Sequence, residues 1–505
     1  MRQEIRILSL LILFAVIIRS LVLWISRPEF VGWFNHTYYY YVETKGLLQN
    51  GYLPFADMPL LFYLYAATSK LLTWFGMEQN DAVIISTRFW MSLIPSLLPI
   101  PVYLTLKSIF KKSQLPNWIW ILLFATAFYP LSILHMPEFL QKNLLGILLL
   151  AFFIWQSKSL FIRFNAKTLI LLCLLFVLII LTHFGTTAVT LLYLASFTVV
   201  FFIHRSNKTK LKLFLGLLLG LGITLVAFYL LDIERFNRIG YYIDRVFDSS
   251  SLGLLFSASD PDKFTTIFML ILPLILVMLL YKWYKTARRS LSNEDNLFWL
   301  VLIIFSYSLI LPIYEPLLMA RFVNYIGLPF IFILTYLLAY YIKKAWLKRF
   351  VLGLIIIGIL TVGFGDIISS FWHNRNKNLI YEDIVKMDNT VNFTADDLII
   401  TRNGVEHISN WFLNTKSSLI TSFNEGDLNK YDRVFILNPT EGSMRLPSIQ
   451  NESAQWYNYM LSNIQVPSNA KEIYISEHIE LYRIESPPKE WSYDEQGNWR
   501  NYQNE

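Results

Sequence analysis

Residues 33–76 of the chain read WFNHTYYYYVETKGLLQNGYLPFADMPLLFYLYAATSKLLTWFG. This stretch lies between an apolar run at 6–26 and another at 82–106. Each run has about 20 residues or more, which is enough to cross a hydrocarbon core of about 30 Å. The second half of the stretch, 58–76, is apolar too, but Lys70 and its many aromatic residues favour an interfacial or re-entrant helix. The sequence therefore predicts a long loop between two spans that carries such a helix.

Apolar runs of similar length recur on the C-terminal side of this loop. Together with the first two they predict eleven spans, at about 6–26, 82–106, 116–133, 140–156, 168–183, 184–203, 213–231, 264–281, 296–313, 322–341 and 350–371. Charged residues make up only 16% of the chain, against about 25% in soluble proteins. This composition predicts a polytopic α-helical membrane protein in contact with lipid, and it excludes a water-soluble enzyme and a nucleic-acid-binding domain.

The net charge of +7 divides unevenly along the chain. Residues 372–505 hold 12 Lys/Arg and 19 Asp/Glu, which gives −7 and leaves +14 for residues 1–371. With eleven spans and a cytoplasmic N-terminus, the inner segments hold 20 basic and three acidic residues. The outer loops up to residue 321 hold nine basic and thirteen acidic residues. By the positive-inside rule, this split predicts a multi-pass protein of the cytoplasmic (inner) membrane with an extracytoplasmic C-terminal part.

That C-terminal part, 372–505, reads as a small soluble domain of α/β or α+β class, after a transmembrane domain at 1–371. Segments 397–404, 417–423, 432–439 and 472–484 have the β-rich patterns of strands, and helices are predicted near 405–414 and 452–463. Its His407 and His478 are predicted to be surface residues.

The polar residues that could carry chemistry lie on the outer side. Carboxylates there could act as a general base or bind a divalent metal ion, and arginines could hold a phosphate. The tyrosine run 38–41 suits an interfacial anchor or a sugar platform, Glu43 is either solvated or functional, and Arg19 is expected to snorkel. His183 either satisfies helix ends or faces substrate. The candidate site residues are Asn35, His36, Asp57, Glu138, His183, Arg235, Arg238 and Arg321.

The loop resembles the first outer loop of the GT-C superfamily of membrane glycosyltransferases, which use polyprenyl-phosphate-linked sugars. The turn Gly51-Tyr52-Leu53-Pro54, the acidic Asp57, and the helix that Pro59 opens and Phe75-Gly76 ends all match its pattern. HMPEFLQKNLLGILLLAF (135–152) is similar to the second acidic turn of the family, and LLMARFVNYIGLPFIFILTYLLA (317–339) to its late Arg-then-Pro span. The resemblance is to the protein mannosyltransferase-like and aminoarabinose transferase-like members of that superfamily.

The resemblance implies an inverting hexosyl or pentosyl transferase of cell-envelope glycans. Its donor would be a polyprenyl-phosphate sugar and its acceptor a glycan, a lipid or a protein. Asp57 or His36 would be the base and Glu138 the second acid. Arg321, supported by Arg235 and Arg238, would hold the carrier phosphate, with His183 and Asn35 on the substrate side. The resemblance leaves open whether a divalent metal ion takes part.

One position departs from the family pattern. Asn35 stands where the first-loop Asp is usual, and an amide neither abstracts a proton nor binds a metal ion as a carboxylate does. The WWD-type motif of oligosaccharyltransferases is also absent from 372–505, which argues against that branch of the superfamily. Two other functions remain open: a transporter or flippase of lipid-linked glycans, and a non-catalytic GT-C-like membrane subunit in which the change to Asn35 is real.

Overall fold

The computed structural model of the chain describes most of its helices and the C-terminal sheet. The described residues are 2–26, 36–55, 57–110, 115–128, 141–162, 165–203, 208–233, 293–309, 316–401, 405–413, 415–419, 431–440, 470–484, 491–493, 499–501 and the single positions 236, 278, 281, 285, 311, 464, 466 and 467.

By its internal contacts the chain forms two units. The first comprises Met1–Leu21, Phe55–Ala67 and Arg88–Gly365, and the second comprises Val22–Pro54, Thr68–Thr87 and Asp366–Glu505. The domain boundary at residue 371 remains a prediction.

Most of the helices in residues 1–371 follow the apolar runs of the sequence. In chain order they are α1 (Arg2–Ser26), α2 (His36–Asn50), α3 (Leu60–Trp74), α4 (Gln79–Ser96), α5 (Pro99–Phe110), α6 (Asn117–Ala127), α7 (Gln141–Ile162), α8 (Ala166–Ile180), α9 (Phe184–Ile203), α10 (Lys208–Leu231), α11 (Asn293–Ser308), α12 (Pro316–Tyr336), α13 (Ala345–Val391) and α14 (Val405–Phe412). A short π-helical turn, Leu337–Tyr341, extends α12.

Four helical stretches in the described ranges are long and apolar enough to cross a membrane: Arg2–Trp24, Gln79–Phe110 (α4 together with α5), Gln141–Phe161 and Phe184–Phe202. Shorter apolar helices occupy further predicted spans. The polytopic helical membrane class is therefore confirmed. The count of eleven stays a prediction, since almost all of 264–281 lies outside the described residues.

Two predicted elements have different bounds in the structure. The run 82–106 is two helices, α4 and α5, which separate at residues 97–98 between Pro95 and Pro99. The last predicted span, 350–371, lies inside the 47-residue α13. That helix continues through the charged residues 372–391 and stops where Asn392 takes φ of +51°. Hydropathy predicts the end of an apolar segment, but it does not predict the end of the helical backbone.

The first-loop segment 58–76 is helical, as predicted. It forms α3, and Gly76, at φ of +89°, follows its C-terminal end. Trp74 and Phe75 are 75% and 83% exposed, a pattern that suits an interfacial helix, which remains a prediction.

The C-terminal sheet combines parallel and antiparallel strands. Its strands are β1 (Asp397–Thr401), β2 (Lys416–Leu419), β3 (Arg433–Pro439), β4 (Ala470–Ile475) and β5 (Ile479–Ile484), in the order β2-β1-β3-β5-β4. β1 is parallel to β2 and β3, whereas β3–β5 and β5–β4 are antiparallel. A separate hairpin joins β6 (Trp491–Tyr493) and β7 (Trp499–Asn501).

This arrangement confirms the predicted strands and adds three, because the single segment 472–484 is the hairpin β4–β5, and β6 and β7 lie in no predicted segment. α14 connects β1 and β2, as the sequence predicted, and the predicted helix 452–463 lies outside the described residues. The hydrophobic core of the sheet combines Leu398 and Ile400 with Val434 and Ile436.

Candidate functional site

Asp57 and Lys142 form an ion pair in the first unit. Asp57 lies just before α3, where its Oδ1 also accepts a hydrogen bond from the Met58 backbone N–H at 2.6 Å. Lys142 is the second residue of α7, and its Nζ lies 6.0 Å from the centre of the Phe62 ring. A cation is disfavoured in the first turn of a helix, so the carboxylate compensates for its charge there. Both side chains are mostly buried, which shields the pair from solvent.

The neighbouring contacts fix α3 against two other helices. The Leu60 N–H donates to the Leu181 carbonyl at 2.9 Å. The Tyr65 hydroxyl donates to Gln141 Oε1 at 2.6 Å, and the amide of Gln141 donates to the sulfur of Met91 at 3.3 Å. These contacts join the helix that follows Asp57 to α7 and to the end of α8, and a reacting group requires such positioning.

His183 lies directly before α9. Its Nδ1 accepts a hydrogen bond from the Thr186 N–H at 3.2 Å, so one ring nitrogen caps the start of α9. The Thr186 hydroxyl is 2.7 Å from the Tyr325 hydroxyl of α12. Gly146 of α7 lies against Thr186 so closely that a Cβ would overlap its side chain. These contacts join α7, α9 and α12 at one place.

The structure therefore brings two of the predicted site residues, Asp57 and His183, to the same set of helices. Leu60 and Leu181 connect their segments, and Lys142 lies one turn before Gly146 on α7. Arg321 is on α12, four residues before Tyr325, and its side chain lies outside the described part of the structure.

The remaining candidates cannot be placed in this way. His36 begins α2, but its side chain is outside the described part. Asn35, Glu138, Arg235 and Arg238 lie outside the described residues altogether.

Sequence reasoning missed Lys142, Gln141, Thr186 and Tyr325 as members of this cluster. Lys142 is a single basic residue near the start of a span, which is a weak signal by itself. The other three are ordinary polar residues in apolar segments, and only their contacts distinguish them.

The expectation for Arg19 was wrong. Its side chain does not snorkel to solvent but is 1% exposed. Its Nε and Nη2 donate to the Ala127 carbonyl at 3.3 and 3.1 Å, and the guanidinium lies 5.9 Å from the Phe128 ring centre. A carbonyl at the C-terminal end of α6 carries partial negative charge, which stabilises this cation inside the protein.

In the second unit, the tyrosine run has neither of its predicted roles. Tyr38 packs on Phe412 and Tyr41 on Trp411, with ring centres 5.4 and 5.3 Å apart. Tyr39 lies 5.1 Å from the His407 ring, which contacts Glu406 and is buried instead of exposed. The run is the packing surface between α2 and α14.

Glu43 belongs to the same helix α2. Its side chain is 0% exposed, so the solvated reading of this carboxylate was wrong. Buried carboxylates are rare unless hydrogen-bonded or paired.

A metal site is not evident in the described ranges. No group of three or more His, Cys, Asp or Glu side chains there could hold a metal ion. Of the candidate metal-binding carboxylates, Asp57 is occupied by Lys142, while Glu138 is outside these ranges.

No protein-family model matches the chain, and no curated protein matches its sequence. Among solved structures, its fold is similar to the apo oligosaccharyltransferase of Archaeoglobus fulgidus, with 11% identity, 85% of this chain and 69% of that chain covered, and a TM-score of 0.50. It is also similar to oligosaccharyltransferase AglB of that organism in complex with an inhibitory peptide and a dolichol-phosphate, with 11% identity, coverage of 84% and 69%, and a TM-score of 0.52. The chain therefore has the fold of these oligosaccharyltransferases, as the first-loop pattern predicted.

Proposed function

We propose that the chain is an inverting glycosyltransferase that moves a sugar from a polyprenyl-phosphate carrier to an acceptor at the outer face of the cytoplasmic membrane. The observation that carries this proposal is Asp57, a first-loop carboxylate that pairs with Lys142 and precedes the helix whose Leu60 N–H donates to the Leu181 carbonyl, two residues before His183. A similar fold in oligosaccharyltransferases, one of them solved with a dolichol-phosphate, supports a lipid-phosphate donor.

The reaction requires one base and one site for the leaving group. Asp57 accepts the proton of the acceptor hydroxyl as that oxygen attacks the anomeric carbon, and the bond from this carbon to the phosphate oxygen breaks. The electron pair leaves with polyprenyl phosphate, whose charge Arg321 binds with support from Arg235 and Arg238. A single displacement inverts the anomeric configuration and needs only one carboxylate base, unlike the two-carboxylate hydrolases.

Lys142 keeps the Asp57 carboxylate oriented and charged between turnovers. The ammonium must then give up part of its contact when the acceptor hydroxyl arrives. His36 is the alternative base, because a neutral imidazole accepts protons near pH 7. Glu138 is the second acid, and Asn35 and His183 contact the substrate.

Acceptor class and sugar are further parts of the proposal. A solved relative of this fold carries a tethered acceptor peptide with an NVT sequon, so a peptide acceptor is one alternative to a glycan or a lipid. The missing WWD-type motif favours the latter two. Transfer of a hexosyl or pentosyl unit is expected.

The test is transfer of radiolabelled sugar from polyprenyl phosphate by the purified chain in proteoliposomes. Asp57→Asn, Glu138→Gln and Arg321→Gln should each abolish transfer, whereas Asp396→Asn, which changes an exposed carboxylate, should not. If all three variants keep wild-type activity, the site assignment is wrong. If the wild type moves labelled lipid across the bilayer without transfer, a flippase replaces the enzyme.

A further inference from the structure

The second unit contains a cavity that the proposed chemistry does not use. It has a volume of about 330 Å³ and is lined by Lys45 of α2, Asn80 and Ile84 of α4, and Trp411, Phe412 and Leu413 at the end of α14. This volume is at the lower end of the range of small-molecule pockets, which is about 300–1,000 Å³. It accommodates one or two sugar rings.

The cationic side of this cavity is Lys45. Its Nζ lies 5.0 Å from the centre of the Trp411 ring, in a cation–π contact. Burial lowers the pKa of Lys45, and the charge of Glu78 opposes this shift. The ammonium has therefore lost part of its hydration. An anion that enters the cavity is attracted to it more strongly than it would be to a fully solvated lysine.

The other walls divide into one polar and one apolar part. Asn80 belongs to the first turn of α4, where backbone N–H groups lack helical acceptors, and its amide has two further donors. Ile84, Phe412 and Leu413 provide apolar surface, which suits the C–H face of a sugar ring. The acidic groups nearby, Glu78 and Asp81, are both exposed and therefore screened by solvent.

We propose that this cavity binds a carboxylate-bearing sugar, a uronic acid residue of a glycan. Lys45 pairs with the carboxylate, Asn80 donates to the carboxylate or to a ring hydroxyl, and the apolar wall covers the ring. The choice of a glycan over another anion rests on the proposed transferase function. The cavity itself, with Lys45, Asn80 and Trp411 in its lining, does not depend on that function.

The test is direct binding to the full chain in nanodiscs, without any donor lipid. Trigalacturonate should bind at least 10-fold more tightly than neutral maltotriose, and its affinity should fall as salt increases. Lys45→Gln should lose at least 10-fold in trigalacturonate affinity, whereas Lys45→Arg, which keeps the charge, should retain most of it. Lys70→Gln, at an exposed lysine away from the cavity lining, is the matched control and should bind like the wild type.

Equal binding of the charged and neutral sugars would overturn the proposal, as would a Lys45→Gln variant with wild-type affinity. A tri-aspartate peptide that competes as well as trigalacturonate would show a peptide site instead. Asp57→Asn should bind trigalacturonate normally. If the wild-type chain binds trigalacturonate but transfers no sugar, the transferase proposal is contradicted and the cavity proposal stands. If it transfers sugar but does not bind trigalacturonate, the cavity proposal is contradicted and the transferase proposal stands.

Discussion

At the scale of single residues, the Asp57–Lys142 ion pair gives the first prediction. Lys142→Gln keeps a hydrogen-bond donor but removes the charge that orients the carboxylate. We expect transfer to fall by about 10²-fold, the typical cost of misplacing a reacting group, while Lys142→Arg restores part of it. The measurement is kcat with saturating donor at several pH values, because lost orientation lowers kcat and the loss of charge also moves the pH profile. An unchanged kcat and an unchanged profile in Lys142→Gln would show that the lysine plays no part.

A second residue-scale prediction concerns Asp397 in β1. Arg433 donates to both of its carboxylate oxygens, at 2.7 and 2.6 Å. Burial alone would raise the pKa of Asp397, but the hydrogen bonds from Arg433 and from the Thr394 N–H outweigh it and hold the pKa below its ordinary value. Because the folded-state pKa is depressed, this contribution to stability is complete above the unfolded-state pKa of about 3.9. It is lost as the pH falls through the lower, folded-state value.

Asp397→Asn should therefore lower the free energy of unfolding of the sheet by about 3 kcal/mol at pH 7. Arg433 is partly exposed, which places the effect at the low end for a broken buried pair. Hydrogen exchange of the β1 and β3 peptides in the full chain measures it. The variant should also lose the acid sensitivity of the wild type below about pH 4. Asp396→Asn is the control, and equal exchange in the two variants would contradict the assignment.

The residues that could be predicted from the sequence share one property. Asp57 lies in a stretch whose pattern is typical of a known fold, so it could be singled out as a candidate, although its role remains a prediction. Lys142, Thr186 and Tyr325 acquire their significance from contacts between segments far apart in the chain. The reading of the tyrosine run was wrong because the aromatic belt of a membrane and a packed helix interface use the same residue type.

At the scale of elements, the close approach of α7 and α9 depends on Gly146. A Cβ at this position would overlap Thr186, whereas one at Gly222 of α10 would meet no atom within 4 Å. Gly146→Ala should therefore destabilise the first unit by about 1–3 kcal/mol, as overpacking does. It should also weaken transfer by disturbing the Thr186–Tyr325 contact. Gly222→Ala should be neutral or slightly stabilising.

Thermal unfolding of the two variants in the same detergent measures this difference. A Gly146→Ala variant as stable as Gly222→Ala would mean that the helices can separate without cost.

Element types followed from the sequence better than element ends did. The length of the apolar runs identified α7 and α9, and β-rich patterns identified the central strands, because burial determines both the pattern and the element. The end of α13 was missed because residues 372–391 are polar but still helical. The β4–β5 hairpin was missed because its turn, residues 476–478, is too short to interrupt the strand pattern.

At the scale of the whole molecule, charge distribution predicts orientation. The inner segments carry most of the basic residues, so the N-terminus is predicted to be cytoplasmic and the tail extracytoplasmic. Alkaline phosphatase, which is active only after export, should be active when fused after residue 371 and inactive when fused after residue 163. Activity at both sites or at neither would contradict this orientation.

The membrane class could be predicted from the composition, and the fold shared with oligosaccharyltransferases could be predicted from the first-loop pattern. The assignment of the reaction could not be reached in the same way, because a shared fold supports many chemistries and the site must be argued from its own geometry.

The account as a whole depends on whether the Asp57 site transfers sugar. The most direct measurement gives proteoliposomes a polyprenyl phosphate with a labelled sugar, together with the acceptor glycans of the cell envelope, and follows the label. For the wild type we predict that the label leaves the lipid fraction and appears in a product with inverted anomeric configuration by NMR, and that Asp57→Asn leaves it on the lipid. Label that stays on the lipid with the wild type, or leaves it equally fast with Asp57→Asn, would contradict the account.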